Sequence, residues 1–250
     1  MINPSNKEPV SVILAVYNEA GTIEKEILNI KNVILSKLPG SELIIAEDGS
    51  IDGTKEIISK YVRDSGVIHS TGDQRKGYAK ALKDAMKIAK NSCIFFSDTG
   101  SKFNIDDFWK LYDIRNEHEL IIGVRSKRSD QLHRRYLTMV YNFLLKKYFN
   151  IYLEDADSGF RIYNRELINK LCHEEWINTA LIGSELTLRA IFSGVNVGYI
   201  KVNYKKRSGI SRGLPPQKIF EVVIGVLKNF PKLKSNLSSA AYSRLRNQIQ

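Results

Sequence analysis

The sequence predicts an α/β fold, in which a mostly parallel sheet is covered by helices on both faces. Short apolar runs rich in β-branched residues, such as SVILAV at residues 11–16, recur along the first half of the chain. Amphipathic segments separate these runs, with apolar residues at intervals of three or four. Such runs are typical of strands buried on both faces, and alternation of strands with helices favours parallel pairing.

Each strand is predicted from an apolar run and each helix from helical spacing. In the first helical segment the periodic residues are Ile23, Ile27, Ile30, Ile34 and Leu38. The strands predicted in the first half are residues 11–16, 42–48, 66–70, 93–98 and 119–124. The helices predicted beside them are residues 22–38, 55–62, 76–91 and 108–115.

The pattern changes from about residue 134, where longer helical segments predominate. Helices are predicted at residues 136–148, 165–171 and 184–193, and one strand at residues 196–204. The first of these helices carries an aromatic and apolar stripe, which favours core packing. A last amphipathic segment covers residues 218–230. We therefore expect a single domain over residues 1–213 and a C-terminal amphipathic helical segment over residues 214–250.

The composition indicates an anionic partner. The chain has 38 Lys and Arg against 27 Asp and Glu, a formal net charge of +11. Phosphate-bearing substrates, acidic lipid headgroups and nucleic acid would each match this charge. The sequence contains no nucleic-acid-binding motif and no interleaving of basic with aromatic residues, so we do not expect nucleic acid.

Three further features of the sequence favour a cytoplasmic protein. The first residues show no secretory-signal pattern. The apolar runs are far shorter than the about 20 residues of a membrane-spanning helix. The two cysteines have neither a disulfide-framework nor a zinc-site spacing, which favours a reducing compartment.

Polar side chains follow three of the predicted strands directly. Tyr17, Asn18 and Glu19 follow the first strand, Asp48 ends the second, and Asp98 ends the fourth. The carboxyl ends of parallel strands lie at one edge of the sheet, where α/β proteins bind their ligands. We therefore predict one binding site assembled from these clusters.

The chemistry of these residues suits a nucleotide. The carboxylates of Asp48 and Glu19 can accept hydrogen bonds from a base or from ribose hydroxyls, and the Tyr17 ring can pack beside the base. In EDGSIDGT, Asp52 can fix the tight turn that the neighbouring glycines permit. An ordinary strand-to-helix turn with an acidic cap is the alternative interpretation of both acidic clusters.

The segments SVILAVYNEAGTI, LIIAEDGSIDGT and IFFSDTGSKF together resemble the nucleotide-sugar-binding segments of family 2 glycosyltransferases. DADSGFRIYNR, GSELTLRAIFSG and VNYKKRSGISR resemble later segments of the dolichol-phosphate-mannose synthase branch, so the likeness covers roughly residues 10–213. The resemblance implies a GT-A fold, which is Rossmann-like. It also implies inverting transfer of a sugar from a nucleoside-diphosphate sugar to a polyprenyl phosphate. Residues 10–124 would bind the donor and residues 125–213 the acceptor.

The donor site implied by this resemblance departs from the family at one position. Its candidate residues are Tyr17, Asn18, Glu19, Asp48, Asp52, Asp98, Lys102, Lys206 and Arg207. The family motif Asp-x-Asp places two carboxylates against a divalent cation, but this chain has Asp98-Thr99-Gly100. Asp98 is therefore the one predicted ligand for Mg²⁺ or Mn²⁺. Lys102 can supply positive charge to a phosphate in place of part of the metal's role, and the basic loop at Lys206 and Arg207 is expected to close over the pyrophosphate.

The acceptor site is also assigned by resemblance. Its candidate residues are Arg125, Arg134, Thr138, Ser158, Ser211 and Arg212. Arg134 and Thr138 are four residues apart, on one face of a helix, and resemble the face that holds the acceptor phosphate. A lipid phosphate is already anionic, so its capture by cations matters more than a general base. Asp155 and Asp157 flank the site, and with Asp98, Arg125 and Arg134 they complete the catalytic candidates.

Two other functions are compatible with the sequence. A family 2 enzyme that glycosylates a saccharide hydroxyl needs a carboxylate base, which Asp155 or Asp157 could supply. The incomplete Asp-x-Asp motif would also suit a nucleotide-binding relic that has lost its activity. For the leading hypothesis, the basic and apolar residues of segments 125–135 and 218–234 predict docking at the cytoplasmic face of a membrane without spanning it. A separate membrane protein would then help to present the lipid.

Overall fold

A computed structural model describes residues 7–63, 66–72, 74–126, 132–177, 181–205 and 219–247. Within these ranges, side chains are described except at residues 132–138, 219–220, 222 and 238–247. The described residues form one seven-stranded sheet with helices packed on both faces. The predicted α/β class with a mostly parallel sheet is confirmed.

The sheet brings the three predicted strand-end clusters to the same edge. Its strands are β1 (Val10–Val16), β2 (Glu42–Glu47), β3 (Val67–Ser70), β4 (Cys93–Asp98), β5 (Leu120–Ser126), β6 (Phe160–Asn164) and β7 (Val197–Asn203). Their order across the sheet is β3-β2-β1-β4-β6-β5-β7. All neighbours pair in parallel except β6, which runs antiparallel to β4 and β5. Because Ala15 pairs with both Ala46 and Asp98, the carboxyl ends of β1, β2 and β4 lie side by side.

The helices follow the predicted pattern with shifted ends. They are α1 (Ile23–Ile30), α2 (Thr54–Tyr61), α3 (Tyr78–Ile88), α4 (Phe108–Asp113), α5 (Leu132–Phe149), α6 (Arg165–His173), α7 (Ile182–Phe192) and α8 (Ile219–Asn247). The helix predicted at residues 22–38 is α1 continued by a π-helical turn, Lys31–Leu35. The predicted last helix, residues 218–230, extends through Pro231 to Asn247.

Alternate residues of the strands face two separate hydrophobic clusters, as the pleat of a sheet requires. One cluster joins the sheet to α3, α6 and α7, and the other joins it to α1, α2 and α4. In α1 the predicted stripe is buried at Ile23, Ile27 and Ile30. The central strands are therefore covered on both faces, which fixes the positions of their carboxyl ends.

A third cluster joins α5, α7 and α8. Leu145 and Phe149 of α5 pack with Val226, Phe230 and Leu233 of α8. The Phe230 ring contacts the rings of three aromatic residues of α5, at centroid distances of 5.1 to 5.9 Å. The aromatic stripe of α5 is thus core packing. Within the described ranges, no helix is both long enough and apolar enough to cross a bilayer.

Strand β6 is the element that the sequence analysis missed. Its sequence FRIYN contains Arg161, and a charged residue in so short a run hides the apolar pattern of a buried strand. In the structure Arg161 is 1% exposed and its guanidinium donates to five oxygens around it. These hydrogen bonds satisfy the donors of the guanidinium and so lower the free-energy cost of burying its charge.

Candidate active site

A cavity of about 480 Å³ opens beyond the carboxyl ends of β1, β2 and β4. The predicted site residues that line it are Tyr17, Glu19, Asp48, Asp98, Lys102, Arg125, Asp157 and Ser158. Its walls also include Arg75, Tyr78, Arg161 and Tyr204, which the sequence analysis did not assign to the site. The fold therefore brings most of the donor candidates and three of the acceptor or catalytic candidates into one space.

Two donor candidates, Asn18 and Asp52, brace the loops behind the cavity. The Asn18 side-chain oxygen accepts a hydrogen bond from the Ile51 amide (2.8 Å). The Asp52 carboxylate accepts from the Ala20 amide (3.2 Å) and from the Thr54 hydroxyl (2.5 Å). These bonds join the loop after β1 to the loop after β2. For both residues the described contacts are those of a structural clamp.

Asp48 holds the loop that precedes α3. One carboxylate oxygen accepts from the amides of Lys76 (2.7 Å) and Gly77 (2.8 Å). Gly49, with φ +73°, lies so close to this loop that a Cβ on it would be 2.9 Å from the backbone nitrogen of Arg75. The Arg75 guanidinium lies over the Tyr17 ring, 4.1 Å from its centroid. Arg75 and Tyr17 thus form a stacked pair in the cavity wall, where an anionic, aromatic ligand would meet both charge and a ring face.

Asp98 lines the cavity between a hydroxyl and an ammonium group. Its two carboxylate oxygens accept from the Tyr78 hydroxyl (3.1 Å) and from Lys102 Nζ (3.4 Å). Tyr78 is the first residue of α3, and enclosure by protein, followed by the charge of Asp98, raises the pKa of its phenol well above the ordinary value. Tyr78 therefore stays a neutral donor that orients Asp98. The neighbouring Gly159 leaves no room for a side chain, since a Cβ there would lie 2.2 Å from the Asp98 carboxyl carbon.

The predicted site for Mg²⁺ or Mn²⁺ has Asp98 as its one carboxylate ligand. Among the described residues, no group of three or more His, Cys, Asp or Glu side chains could hold a metal ion. Gly100 contributes no side chain, and Lys102 already pairs with Asp98. Mg²⁺ is commonly held by one or two carboxylates together with substrate phosphates. The residues present therefore fit a divalent cation only when a diphosphate supplies most of the ligands.

Asp157 faces Asp98 across the cavity and is held by the segment around Arg161. The Arg161 guanidinium donates to the carbonyls of Ala156 (2.6 Å) and Gly183 (2.8 Å), which fixes the turn that carries Asp157. Solvent reaches Asp157 through the open cavity. The protein packed around it, and secondarily the charge of Asp98, nevertheless outweigh the effect of Arg161 and raise the pKa of Asp157 to about 6. A carboxylate with this pKa is ionised at neutral pH and can accept a proton.

Arg125 and Asp155 form a two-point ion pair at the acceptor side of the cavity. Arg125 Nε and Nη2 donate to the two oxygens of Asp155, at 2.8 and 2.5 Å, and the Arg125 amide donates as well (2.9 Å). Although burial opposes the charged form, Asp155 raises the pKa of Arg125 above its ordinary value. The guanidinium also lies 5.2 Å from the centroid of the Tyr204 ring. An anionic acceptor would therefore share Arg125 with Asp155.

Apart from Ser158, the remaining acceptor candidates and two donor candidates, Lys206 and Arg207, have side chains outside the described part of the structure. Arg134 and Thr138 belong to α5, but their side chains lie outside the described part of the structure. Lys206, Arg207, Ser211 and Arg212 lie outside the described residues altogether. Ser158 is buried, and its hydroxyl donates to the Gly123 carbonyl (2.5 Å), which ties the segment before β6 to β5.

The model of the family described as "Glycosyl transferase family 2" matches residues 11–172. The match covers more than half of the chain and all three strand-end clusters. The chain belongs to this family. Its solved structural neighbours include glucosyl-3-phosphoglycerate synthase from Mycobacterium tuberculosis in complex with Mn²⁺, UDP and glucosyl-3-phosphoglycerate, at a TM-score of 0.64. That alignment covers 90% of this chain and 80% of the synthase at 16% identity, so it supports the GT-A fold alone.

Relatives of the chain include two Haloferax volcanii proteins. It is 28% identical over 207 residues to glycosyltransferase AglD, which covers 79% of this chain but 33% of AglD. It is 23% identical over 206 residues to a dolichyl-phosphate hexose transferase, which covers 81% of this chain and 85% of the relative. It is also 36% identical over 110 residues to an Escherichia coli protein, UDP-Glc:alpha-D-GlcNAc-diphosphoundecaprenol beta-1,3-glucosyltransferase WfaP. That alignment covers 44% of this chain and 40% of WfaP. The chain thus spans a third of one of these relatives and most of another.

Proposed function

We propose that this protein transfers a sugar, with inversion, from a nucleoside-diphosphate sugar to a polyprenyl phosphate. The observation that carries the proposal is the cavity at the carboxyl ends of β1, β2 and β4, in which Asp48, Asp98 and Lys102 surround one space. In this family, and at this edge of an α/β sheet, such a space suits a nucleotide sugar. Residues 10–124 would form the donor half and residues 125–213 the acceptor half, with residues 214–250 as a C-terminal amphipathic segment.

The donor would lie along the cavity from Tyr17 to Lys102. Tyr17 and Arg75 offer a stacked ring and cation to the base, and Glu19 offers a carboxylate to ribose hydroxyls. Lys102 Nζ, 3.4 Å from Asp98, would neutralise the diphosphate as it leaves. Asp98 is the residue that would hold a Mg²⁺ or Mn²⁺ ion against the diphosphate. Such an ion supplies charge stabilisation to the leaving group. Lys206 and Arg207 would close over the pyrophosphate.

The acceptor proposal rests on charge. In the reaction, an oxygen of the acceptor phosphate forms a bond to the anomeric carbon while the bond from that carbon to the donor diphosphate breaks. The attacking oxygen is already ionised at neutral pH, so no proton has to be removed. Arg125 would hold the phosphate, together with Arg134, Thr138, Ser158, Ser211 and Arg212. The likeness to a dolichyl-phosphate hexose transferase supports this choice of acceptor.

A second candidate function is favoured by Asp157. Its pKa, raised to about 6, lies in the range at which a carboxylate acts as a general base near neutral pH. A base is needed when the acceptor is a sugar hydroxyl, because that proton must leave as the bond to the anomeric carbon forms. The likeness to a beta-1,3-glucosyltransferase supports this alternative. Asp157 would then be the catalytic base, and Asp155 would orient Arg125.

We further propose that the protein docks peripherally at the cytoplasmic face of a membrane. Met139 and Phe143, one turn apart on α5, are 62% and 64% exposed. Lys146 and Lys147 are exposed on the same helix. Apolar side chains beside lysines suit an anionic bilayer surface, where each basic residue contributes about 1 kcal/mol. A separate membrane protein that presents the lipid would fit this arrangement.

A transfer assay tests the proposed function. The protein is incubated with a panel of radiolabelled nucleoside-diphosphate sugars and either a short-chain polyprenyl phosphate or a saccharide acceptor. We expect label in the lipid product with one of the donors. Label in the saccharide alone would establish the second candidate. Release of free sugar alone would contradict both acceptors, and no turnover with any donor would indicate a nucleotide-binding relic.

Sedimentation with vesicles tests membrane docking separately. We expect the protein to sediment with vesicles that contain anionic lipid and to be released as salt is raised, because salt screens surface charge. A variant with Met139→Ser and Phe143→Ser should sediment less at every salt concentration. Equal amounts in the supernatant with neutral and anionic vesicles at low salt would contradict docking.

A further inference from the structure

The loop that follows β4 carries two predicted donor groups, Asp98 and Lys102. Each end of this loop is fixed by backbone contacts. The Asp98 amide donates to the Gly159 carbonyl (2.7 Å), and the Lys102 carbonyl accepts from the Lys205 amide (2.7 Å). The Thr99 hydroxyl donates to the Ala15 carbonyl at the end of β1 (2.9 Å). The middle of the loop, Gly100 and Ser101, is held in a different way.

A carboxylate from α1 binds the middle of the loop. Oε1 of Glu26 accepts hydrogen bonds from the Gly100 amide (2.7 Å), the Ser101 amide (2.6 Å) and the Ser101 hydroxyl (3.3 Å). Two successive amides converge on a single oxygen, which is the geometry of a backbone nest around an anion. Glu26 also lines a smaller cavity of about 240 Å³ together with Asp98, Ser101 and Lys102.

The backbone of Gly100 and Ser101 explains why an anchor is needed. Their φ angles are +94° and +51°, in the left-handed region. Glycine adopts this region readily, but serine does so at a cost and only where the surrounding structure supports it. The three hydrogen bonds to Glu26 supply that support. They also direct both amides toward α1.

We propose that Glu26 is a positioning residue for the donor, and that its carboxylate sets the loop so that Asp98 and Lys102 meet the donor diphosphate. This inference rests on the proposed nucleotide-sugar function. Where related enzymes are expected to carry a second aspartate, this chain has Gly100, and the carboxylate at that point comes from α1. Glu26 itself does not touch the donor; it acts through the two amides.

The chain offers variants that separate positioning from charge and from folding. Glu26→Gln keeps an acceptor oxygen at the same reach, Glu26→Asp shortens the side chain by one methylene, and Glu26→Ala removes the acceptor. Glu24→Ala is the matched control, because Glu24 lies on the same helix but its carboxylate accepts from the Tyr61 hydroxyl (2.9 Å). Thermal melting of each variant reports whether the fold is retained.

The experiment measures calorimetric affinity for UDP, GDP, ADP and dTDP, and amide exchange by NMR for the tightest of these complexes. We expect the Ala and Asp variants to bind that diphosphate about tenfold or more weakly, since the Gly100 and Ser101 amides lose their acceptor in the first and cannot reach it in the second. The Gln variant should stay within about threefold of the parent, because a neutral acceptor still bonds both amides. Exchange should accelerate at Gly100 and Ser101 in the Ala variant and stay slow in the Gln variant.

The experiment distinguishes failure of this inference from failure of the proposed function on which it rests. If the parent protein binds none of the four diphosphates, the proposed donor site is wrong and the inference falls with it. If the parent binds but the Ala and Asp variants bind equally well, the donor site stands and the positioning role is overturned. A Gln variant as weak as the Ala variant would also overturn it, since charge alone would then matter. If the Ala variant does not fold, the comparison of Gln with Asp decides.

Discussion

The donor and acceptor sides of the cavity hold their charged groups by different means. On the donor side, two backbone amides hold Asp48 and a tyrosine hydroxyl donates to Asp98, while the cations Arg75 and Lys102 lie farther from these carboxylates, at 3.5 and 3.4 Å. On the acceptor side, Arg125 is paired at two points with Asp155. Neutral donors fix a carboxylate without cancelling its charge, whereas an ion pair offsets charge that a ligand would otherwise meet. We therefore expect the donor side to be preformed and the acceptor side to exchange partners on binding.

The largest effect is expected from a methyl group placed against Asp98. In Gly159→Ala the new Cβ would lie 2.2 Å from the Asp98 carboxyl carbon, so the carboxylate or β6 must move. To relieve this contact, the Asp98 carboxylate would have to move by about 1 Å, and a misplacement of that size at a reacting group can cost about 10²-fold in rate. We expect at least that loss in kcat/KM, measured in the transfer assay, with a lowered Tm.

The matched control for that variant is Gly225→Ala on α8. Among the described residues, and apart from its chain neighbours and its own helix backbone, no atom lies within 4 Å of a Cβ at this position; alanine favours a helix interior by about 0.5–1 kcal/mol over glycine. Activity should be unchanged and Tm equal or slightly raised. An active Gly159→Ala enzyme would mean that the position of Asp98 is unimportant.

A second pair of variants distinguishes a phosphate acceptor from a hydroxyl acceptor. With a phosphate acceptor, Arg125→Lys should lower kcat/KM strongly, because lysine lacks the planar fork that can serve Asp155 and a phosphate together. Asp157→Asn should then be tolerated. With a hydroxyl acceptor the order reverses, and loss of the base costs about 10²–10⁴-fold.

The pH dependence of kcat/KM distinguishes the same two cases. A base with a pKa of about 6 must be ionised to work, so activity would fall as the pH drops below about 6. Asp157→Asn would remove this acid limb in the hydroxyl case. In the phosphate case the profiles of the parent and the Asn variant should coincide near pH 6.

The sequence predicted the location of the donor candidates better than that of the acceptor candidates, for physical reasons. The residues at the ends of β1, β2 and β4 follow strongly apolar runs, so their common location follows from parallel pairing alone. Tyr78, Arg75 and Glu26 were missed because each resembles a residue of a solvated helix or loop in sequence. Their roles depend on which segment lies opposite, and helical periodicity does not encode that. Strand β6 was missed because its buried Arg161 breaks the apolar pattern.

A smaller effect is expected from the lysine beside Asp98. Lys102→Ala removes the cation 3.4 Å from the carboxylate and leaves Asp98 to face the diphosphate alone. We expect turnover to fall several-fold and to become more dependent on added Mn²⁺ or Mg²⁺, measured as rate against metal concentration. Lys110→Ala, which removes a lysine of α4 that pairs with Asp107, is the control. Tight metal binding by the nucleotide-free parent would contradict a site completed by the diphosphate.

The smallest expected effect is that of Glu26 on the pH dependence of the free energy of unfolding. Burial, the largest contribution, raises the pKa of Glu26 from 4.5 to about 7. Between these values the folded state binds a proton that the unfolded state has released, so the free energy of unfolding falls as pH rises through this window. Glu26→Gln cannot titrate, and urea unfolding from pH 4.5 to 7 should show a flatter dependence. A parent and a Gln variant with the same slope would contradict the raised pKa.

The most direct test of the account is calorimetric titration of nucleoside diphosphates into the parent, Asp48→Ala and Asp98→Ala. Glu166→Ala is the control, because Glu166 is exposed on α6 and pairs with Lys170. We expect one diphosphate to bind the parent and the control equally, and both aspartate variants to bind it about tenfold or more weakly with melting profiles that remain cooperative. Unchanged affinity in both aspartate variants would contradict a donor site at the ends of β2 and β4.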